Sequence, residues 1–336
     1  MKRVIAESLE RHSNVIYMGE DVQNGGMHME TEGLASRFPS RVLDFDPDET
    51  TLIGAAMGFS QLGLCPIVEI PISCDIDKFL EAVVTSSSSN LIRRQLHPKQ
   101  HGMVVRLQGF EPGMFGGDFQ RTYNVLHHSI PGIDILCYSN GLDFVRGFRN
   151  AIVQAKAGRV VLLVDCPNLL DLRHLFGTDR AWERRYPSDV QQTMGWHNVT
   201  RYCSTANSPS SSDVRKIAIV SYGYGVIASL RGRDQWLHGN NRIEDRDVVT
   251  AYAVDVIDCP LLSEVPDGLK ELLLCFMYNY IILADICNSD PSPLTSMVAN
   301  LQGGQLLSSN CVCLQAPSAR VSLGAEDIVG ALNAIM

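Results

Sequence analysis

The chain has 336 residues, which is enough for two domains of about 100–200 residues each. A net charge of −9 and basic residues that are scattered rather than clustered argue against nucleic acid or an anionic membrane as the main partner. The most apolar segment is interrupted by Lys270, Glu271 and Asp285, so the sequence contains no run of ~20 apolar residues that could cross a membrane.

The ten cysteines show no spacing typical of a disulfide framework. Most lie inside apolar segments, as do Cys65, Cys166, Cys275 and Cys287. This distribution predicts buried free thiols and a reducing soluble compartment, for which the mitochondrial matrix, a plastid and the bacterial cytoplasm are all suitable. The amphipathic N-terminus carries Glu7 and is typical of neither a signal peptide nor a transit peptide.

Strand-like apolar segments alternate with helical patterns along the first half of the chain. The predicted strands are NVIYMGED, CPIVEIPI, GMVVRLQG, GIDILCYS and RVVLLVDCP. The predicted helices are TTLIGAAMGFSQLG, DIDKFLEAVVTSSSSNLIRRQL and GLDFVRGFRNAIVQAKAG. Elements of these lengths in this order predict a doubly wound α/β domain with a mostly parallel sheet over residues 1–186.

The alternating pattern is lost between residues 187 and 214, where STANSPSSSD is polar and rich in Ser. We interpret this region as an exposed linker. A second α/β pattern follows over residues 215–336 and predicts a second doubly wound domain. Its elements are RKIAIVSYGYG, a helix from Val226, VVTAYAVDVID, DGLKELLLCF, YIILADI and EDIVGALNAI.

Gly223, Gly225 and Ala228 follow a predicted strand with the spacing of a dinucleotide-binding turn. That motif requires an acid about 20 residues further on, at the end of the next strand. Asp234 falls inside the predicted helix, and Asp245 and Asp247 precede the next strand, so a tight strand-to-helix turn is favoured over a nicotinamide site. The sequence has no phosphate-binding P-loop and no nucleophile elbow. The paired Cys311 and Cys313 have no nearby Cys or His, so we expect them to be structural and predict no metal site on this chain.

The segment DFDPDETTLIGAAMG places several acids directly before a helical pattern. Carboxylates are favourable at the positive N-terminal end of a helix, and Asp48 and Thr50 are the candidate caps. Gly54 and Gly58 share one helical face and would allow close packing on a neighbour. These considerations explain the acids in general and leave open which of them is buried.

The sequence around this segment resembles a known family. The segments that carry the resemblance are VIYMGEDV, the pair Gly25–Gly26, GLASRFPSRVLDFDPDETTLIGAAMGFSQLGLCPIVEI, PGIDILCYSNGLDFVRGFRNAI and VVLLVD. They are similar to the β subunit of the thiamine diphosphate-dependent, decarboxylating first component of 2-oxo acid dehydrogenase complexes. IAIVSYG, VDVIDCPLLSEVPDGL and YIILADI follow in the matching order. The resemblance implies a transketolase-like pyrimidine-binding domain followed by a transketolase C-terminal-type domain.

The resemblance assigns Glu49, with Gly54 and Gly58, as the cofactor glutamate. A carboxylate bonded to the aminopyrimidine ring would favour the tautomer that activates the thiazolium carbon, so Glu49 is expected to be buried. Glu20 is assigned to the same cofactor-binding set. The chain lacks the Gly-Asp-Gly motif with paired Asn that holds Mg²⁺ and the diphosphate, so the resemblance implies that a partner subunit supplies them.

The sequence departs from the family pattern at two places in the same site. The positions that pack on the pyrimidine, usually bulky and apolar, fall on Pro71 and Asp75. The position of the loop histidine falls on Phe119, or on Gln120 after a shift of one residue, and neither can shuttle a proton. Glu49 favours an active enzyme half, whereas Asp75 and Phe119 favour a catalytically silent paralogue with an assembly or regulatory role.

The implied assembly is an α2β2-like heterotetramer of this chain, its second copy and an α-type subunit. The implied reaction decarboxylates a 2-oxo acid and passes the acyl group to a lipoyl-bearing acyltransferase. The sequence does not identify the 2-oxo acid, because half of the pocket would belong to the partner.

Overall fold

The computed structural model describes residues 1–26, 29–70, 101–108, 133–190, 192–204, 214–240, 252–276, 278–288, 292–297, 310–317 and 321–335. The predicted helix DIDKFLEAVVTSSSSNLIRRQL lies outside these residues. In the described part of the chain the strands form two sheets, one in each half of the sequence.

The first sheet is formed by strands from the N-terminal half. These strands are β1 (Val15–Gly19), β2 (Val42–Asp44), β3 (Cys65–Ile70), β4 (Met103–Gln108), β5 (Ile133–Leu136) and β6 (Val160–Asp165). They are all parallel, in the order β2-β1-β3-β4-β6-β5. Parallel neighbours need crossover connections, which explains why helices separate most of these strands along the chain.

Helices cover both faces of this sheet. They are α1 (Lys2–Arg11), α2 (Leu34–Arg37), α3 (Glu49–Gln61) and α4 (Gly141–Lys156). Successive strand residues point to opposite faces, so Val104 joins the apolar cluster under α1 and α4, while Val105 joins the cluster under α3. The predicted doubly wound, mostly parallel fold is therefore confirmed.

The second sheet has the order β11-β10-β8-β9-β7 among the described residues. Its strands are β7 (Thr200–Tyr202), β8 (Arg215–Ser221), β9 (Tyr252–Asp258), β10 (Tyr280–Asp285) and β11 (Asn310–Gln315), and its helices are α5 (Tyr224–Asn240), α6 (Asp267–Phe276) and α7 (Ala325–Ile335). All neighbours are parallel except β7, which pairs antiparallel with β9. β7 lies within the stretch 187–214 that the sequence predicts as a linker.

The cysteines of the described residues are free, and most are buried as predicted. Cys65, Cys166 and Cys287 are buried, whereas Cys275 is exposed, so its predicted burial is wrong. Cys275 lies in the amphipathic helix α6, whose buried residues are Leu269 and Leu273. An apolar sequence context alone does not show which face of a helix a cysteine occupies.

The two sheets are joined along the edge strand β5. The amide of Cys137 donates to the carbonyl of Pro260 at 2.9 Å, and the amide of Leu262 donates to the carbonyl of Ile135 at 2.8 Å. One apolar cluster contains buried residues of both sheets, including Leu162 and Ile219. These hydrogen bonds cover the edge of β5 with the second half of the chain, and the two sheets share one core.

The glycine turn after β8 is packed against protein atoms. Gly223 has φ +51°, and a Cβ on it would lie 2.8 Å from the sulfurs of both Cys137 and Cys166. A Cβ on Gly225 would lie 2.3 Å from the Ser221 hydroxyl. These close approaches require glycine, and they favour the interpretation of this motif as a tight strand-to-helix turn.

Candidate functional site

An acidic pocket opens at the carboxyl ends of β1 and β2. Its volume is about 460 Å³, and it is lined by Glu20, Asp21, Asp44, Phe45, Asp46 and Pro47. Ligands of open α/β sheets bind outside the carboxyl ends of the strands. The pocket therefore lies where this fold class places its binding sites.

The chain after β2 is shaped by hydrogen bonds to its acidic residues. Asp44 accepts a bond from the Gln23 amide at 2.7 Å, which ties the β2 end to the loop after β1. The amide of Phe45 donates to the Gly19 carbonyl at 2.9 Å, and the amide of Asp48 donates to the Asp46 carbonyl at 2.7 Å. These contacts hold the segment between β2 and α3 in a turn against the end of β1.

Asp48 caps α3, and Glu49 is the first residue of the helix. The Asp48 carboxylate accepts a bond from the Thr51 amide at 3.1 Å. This bond satisfies one of the free amides at the helix start. Glu49 then lies in the first turn, two residues beyond the pocket residue Pro47, where the helix dipole favours a carboxylate.

Glu49 is half-buried in this chain, whereas the family resemblance implies that it is buried. The difference has a simple cause, because the first turn of α3 stands at the edge of the first sheet rather than inside its core. Glu20, the other described residue of the predicted set, is exposed and lines the pocket. Pro71, Asp75, Phe119 and Gln120 lie outside the described residues.

A buried ionic cluster lies beneath this edge of the sheet, and the sequence analysis did not find it. We call it the Arg106 network; its members are Tyr17, Glu30, Glu69, Arg106 and Asp165. The Arg106 side chain is fully buried, with Nε 2.6 Å from Asp165 and Nη1 3.0 Å from Glu69. Arg106 Nη2 contacts Glu30, and the Tyr17 hydroxyl donates to Glu69.

The strand register explains why these groups meet. Glu69 of β3 is directly opposite Arg106 of β4, and Gly19 of β1 is opposite Glu69. Burial alone would lower the pKa of Arg106, but Asp165, Tyr17, Glu69 and Glu30 raise it well above its usual value. Burial raises the pKa of Asp165, although Arg106 acts against this effect. The available signal was a single charged residue in each of the apolar strands CPIVEI and MVVRLQ.

Another buried acid lies where the two sheets meet. Asp258 ends β9, is 3% exposed, and accepts a hydrogen bond from the Ser139 hydroxyl. The carbonyl of Ser139 in turn accepts a bond from the Trp182 indole at 2.9 Å. The pKa of Asp258 is raised to about 7, mainly by burial and further by the charge of Asp143, while the hydrogen bond from Ser139 acts in the opposite direction.

The described residues contain neither a metal-ligating cluster nor a membrane-spanning helix. No group of three or more His, Cys, Asp or Glu residues there is placed to hold a metal ion. No helix in the described part of the chain is long and apolar enough to span a membrane.

Comparison with solved structures identifies the class of fold. The chain resembles a split-gene transketolase, solved as an inactive β4 tetramer, with a TM-score of 0.64 at 15% identity. The alignment covers 99% of this chain and 95% of that chain. The architecture is therefore a two-domain transketolase-like α/β fold.

The sequence comparison gives a more specific resemblance. The chain is 25% identical over 315 residues to the pyruvate dehydrogenase E1 component subunit beta of Chlorokybus atmophyticus, covering 90% of this chain and 88% of the relative. It is 45% identical over 64 residues, 18% of each chain, to the 2-oxoisovalerate dehydrogenase subunit beta of Pseudomonas aeruginosa. No protein-family model matches the chain. The predicted resemblance to β subunits of 2-oxo acid dehydrogenases is thus confirmed.

Proposed function

We propose that this chain is the β-type subunit of a thiamine diphosphate-dependent 2-oxo acid dehydrogenase. It would supply the aminopyrimidine side of a cofactor site shared with an α-type subunit. The observation that carries the proposal is a pocket at the carboxyl ends of β1 and β2 that is lined by Glu20, with Glu49 beginning α3 two residues after the lining residue Pro47. Similarity to β subunits along 90% of the chain supports it.

The chemistry of the pocket fits one end of this cofactor. Glu20, Asp21, Asp44 and Asp46 line the cavity, and ionised carboxylates are acceptors of hydrogen bonds from amino groups. The same carboxylates would repel a diphosphate. We therefore assign the aminopyrimidine to this chain, and the diphosphate with its Mg²⁺ to a partner subunit that carries the Gly-Asp-Gly motif and the paired Asn.

Thiamine diphosphate, when bound, supplies the nucleophilic carbon and the electron sink for loss of carbon dioxide from a 2-oxo acid. Glu49 would hold a proton on a carboxylate oxygen and share it with a ring nitrogen of the aminopyrimidine. Because Glu49 is half-buried in the single chain, the partner surface would complete its burial and exclude water. The Asp48 cap and the first turn of α3 hold its backbone in place.

We propose the same organisation and assembly that the sequence implies. The pyrimidine-binding domain spans residues 1–186, the linker spans 187–214 and the C-terminal-type domain spans 215–336. An α-type subunit and a second copy of this chain form an α2β2-like heterotetramer, which transfers the acyl group to a lipoyl-bearing acyltransferase. The free cysteines of the described residues fit a reducing compartment, such as the mitochondrial matrix, a plastid or the bacterial cytoplasm.

Calorimetry on this chain co-purified with its partner subunit tests the proposal. Thiamine diphosphate with Mg²⁺ should bind, and Glu49→Gln should weaken binding by about tenfold or more, since it replaces a charge-assisted hydrogen bond by a neutral one. Glu271→Gln, an exposed position on α6, makes the same change of charge and should bind as the wild type does. Absence of binding by the wild-type complex would refute the enzyme assignment.

A catalytically silent paralogue is the second candidate. Asp75 and Phe119 stand where the resemblance expects an apolar residue and a histidine, which favours loss of activity. In that case the partner subunit would co-purify with this chain, but the complex would neither bind thiamine diphosphate nor decarboxylate pyruvate or a branched-chain 2-oxo acid. Binding together with turnover would exclude this candidate.

A further inference from the structure

The loop after β1 forms an ion pair with the Arg106 network at one point and approaches it closely at a second. This β1–α2 loop, described at residues 20–26 and 29–33, begins with the pocket residues Glu20 and Asp21. Its Glu30 contacts Arg106 Nη2. Where the loop passes over β3, Gly26 has φ +67°, and a Cβ on it would lie 3.2 Å from Glu69 Oε1. The loop backbone therefore lies directly against the buried ionic groups.

A short series of hydrogen bonds connects Glu30 to the pocket. The residue after Glu30, Thr31, is fully buried; its amide donates to the Gly25 carbonyl at 3.1 Å and its hydroxyl to the Val22 carbonyl at 2.9 Å. The amide of Gly26 then donates to the Asp21 carbonyl at 2.8 Å. Three bonds within one loop thus relate the position of Glu30 to that of Asp21 and its neighbour Glu20.

Arg106 can hold this loop because its own side chain is fixed by other groups. Its Nε and Nη1 donate to Asp165 and Glu69, on the two strands that flank β4. Only Nη2 faces the loop, where it contacts Glu30. A guanidinium that is fully buried and bonded on two sides has little freedom to move, so the loop rests on a rigid cation.

We propose that Arg106 is a positioning residue of the candidate site. Through Glu30 it holds the β1–α2 loop, and with it Glu20 and Asp21, at the carboxyl edge of the first sheet. The loop lies over the edge of the sheet, and the network lies on the face covered by α1 and α4. The part of this inference that concerns thiamine diphosphate rests on the proposed function, whereas the part that concerns the loop does not.

Glu30→Gln is the variant that tests the inference, because it removes one charge from the loop and leaves Arg106 bonded to Glu69 and Asp165. Glu32→Gln is the matched control, since Glu32 is exposed in the same loop. In hydrogen exchange of this chain, the amides of residues 20–26 and 29–33 should exchange about tenfold faster in Glu30→Gln than in the wild type, and no faster in Glu32→Gln. Exchange in β8 of the second sheet should not change.

The second measurement uses the complex with the partner subunit. Glu30→Gln should raise the dissociation constant of thiamine diphosphate about tenfold and leave kcat at saturating cofactor within about twofold. Glu32→Gln should change neither value. A purely structural role would not produce this separation between cofactor affinity and kcat.

The outcomes separate the two claims. Faster exchange in the loop with weaker cofactor binding supports the inference. If Glu30→Gln speeds exchange in the loop but the wild-type complex binds no thiamine diphosphate, the anchoring role is supported and the proposed function is refuted. The role of Arg106 as a positioning residue would be overturned by any one of three results for Glu30→Gln. These are unchanged exchange in the loop, faster exchange throughout the chain, and faster exchange in the loop with unchanged cofactor affinity.

Discussion

Arg149 should be a major source of stability for the first half of the chain. It lies in α4, is 5% exposed, and donates to both carboxylate oxygens of Glu7 in α1 at 2.7 and 2.9 Å. It also donates to the carbonyls of Pro187, Asp189 and Gln192 at 3.0, 2.8 and 3.2 Å. One side chain therefore fastens the start of the predicted linker to two helices.

Arg149→Met keeps most of the apolar stem and removes all five hydrogen bonds. The change takes the Arg149 donor away from the Glu7 carboxylate and from the three carbonyls. Removing one partner of a buried ion pair lowers the free energy of unfolding by about 3 kcal/mol. At roughly 2–4 °C per kcal/mol for a domain of this size, the midpoint of thermal unfolding should fall by about 6–12 °C.

Thermal unfolding followed by circular dichroism measures this change. The control is Arg37→Met, which breaks the exposed ion pair of Arg37 with Glu10, whose side chains are 58% and 43% exposed. Such a surface pair contributes no more than about 1 kcal/mol. If Arg149→Met lowered the midpoint no further than Arg37→Met, the anchoring role of Arg149 would be wrong.

Two further changes test the packing between and within the sheets. Gly225→Ala should lower the free energy of unfolding in urea by about 1–3 kcal/mol, because its Cβ would meet the Ser221 hydroxyl. Gly239→Ala, which has open space around it in the same helix, should not lower it. Equal effects of the two changes would contradict the tight-turn interpretation. Asp258 has a pKa of about 7 in the folded chain and about 3.9 in the unfolded chain. Its contribution to the free energy of unfolding is therefore fully present below about pH 4 and is lost as the pH rises through 7. Between about pH 4 and 7 the free energy of unfolding should fall by about 4 kcal/mol less in Asp258→Asn than in the wild type. Parallel pH profiles for the two proteins would refute the raised pKa of Asp258.

The regular elements were predictable because they depend on local pattern. Apolar strands such as Val160–Asp165 and the amphipathic helix α4 follow from periodicity and from caps such as Asn140. The strand β7 was missed because three half-buried residues at a sheet edge carry no pattern of their own. Its place is determined by antiparallel pairing with β9, more than fifty residues further along the chain.

The site was predictable only in part, since its groups come together from distant positions. Glu20 and Asp44 meet because parallel strands end at the same edge, which the predicted topology implies. The Arg106 network was not predictable, because Glu69 and Asp165 lie 37 and 59 residues from Arg106 in the sequence. Glu49 is half-buried because it begins α3 at the edge of the first sheet, a position that the sequence pattern alone does not specify.

Release of carbon dioxide from carboxyl-labelled 2-oxo acids tests the central claim most directly. The complex of this chain with its partner subunit, supplied with thiamine diphosphate and Mg²⁺, should release labelled carbon dioxide from pyruvate or a branched-chain 2-oxo acid. Glu49→Gln should reduce the rate at least about 100-fold, the usual contribution of a group that transfers a proton. Undiminished release by Glu49→Gln, in a complex that retains its partner and its cofactor, would contradict the role assigned to Glu49.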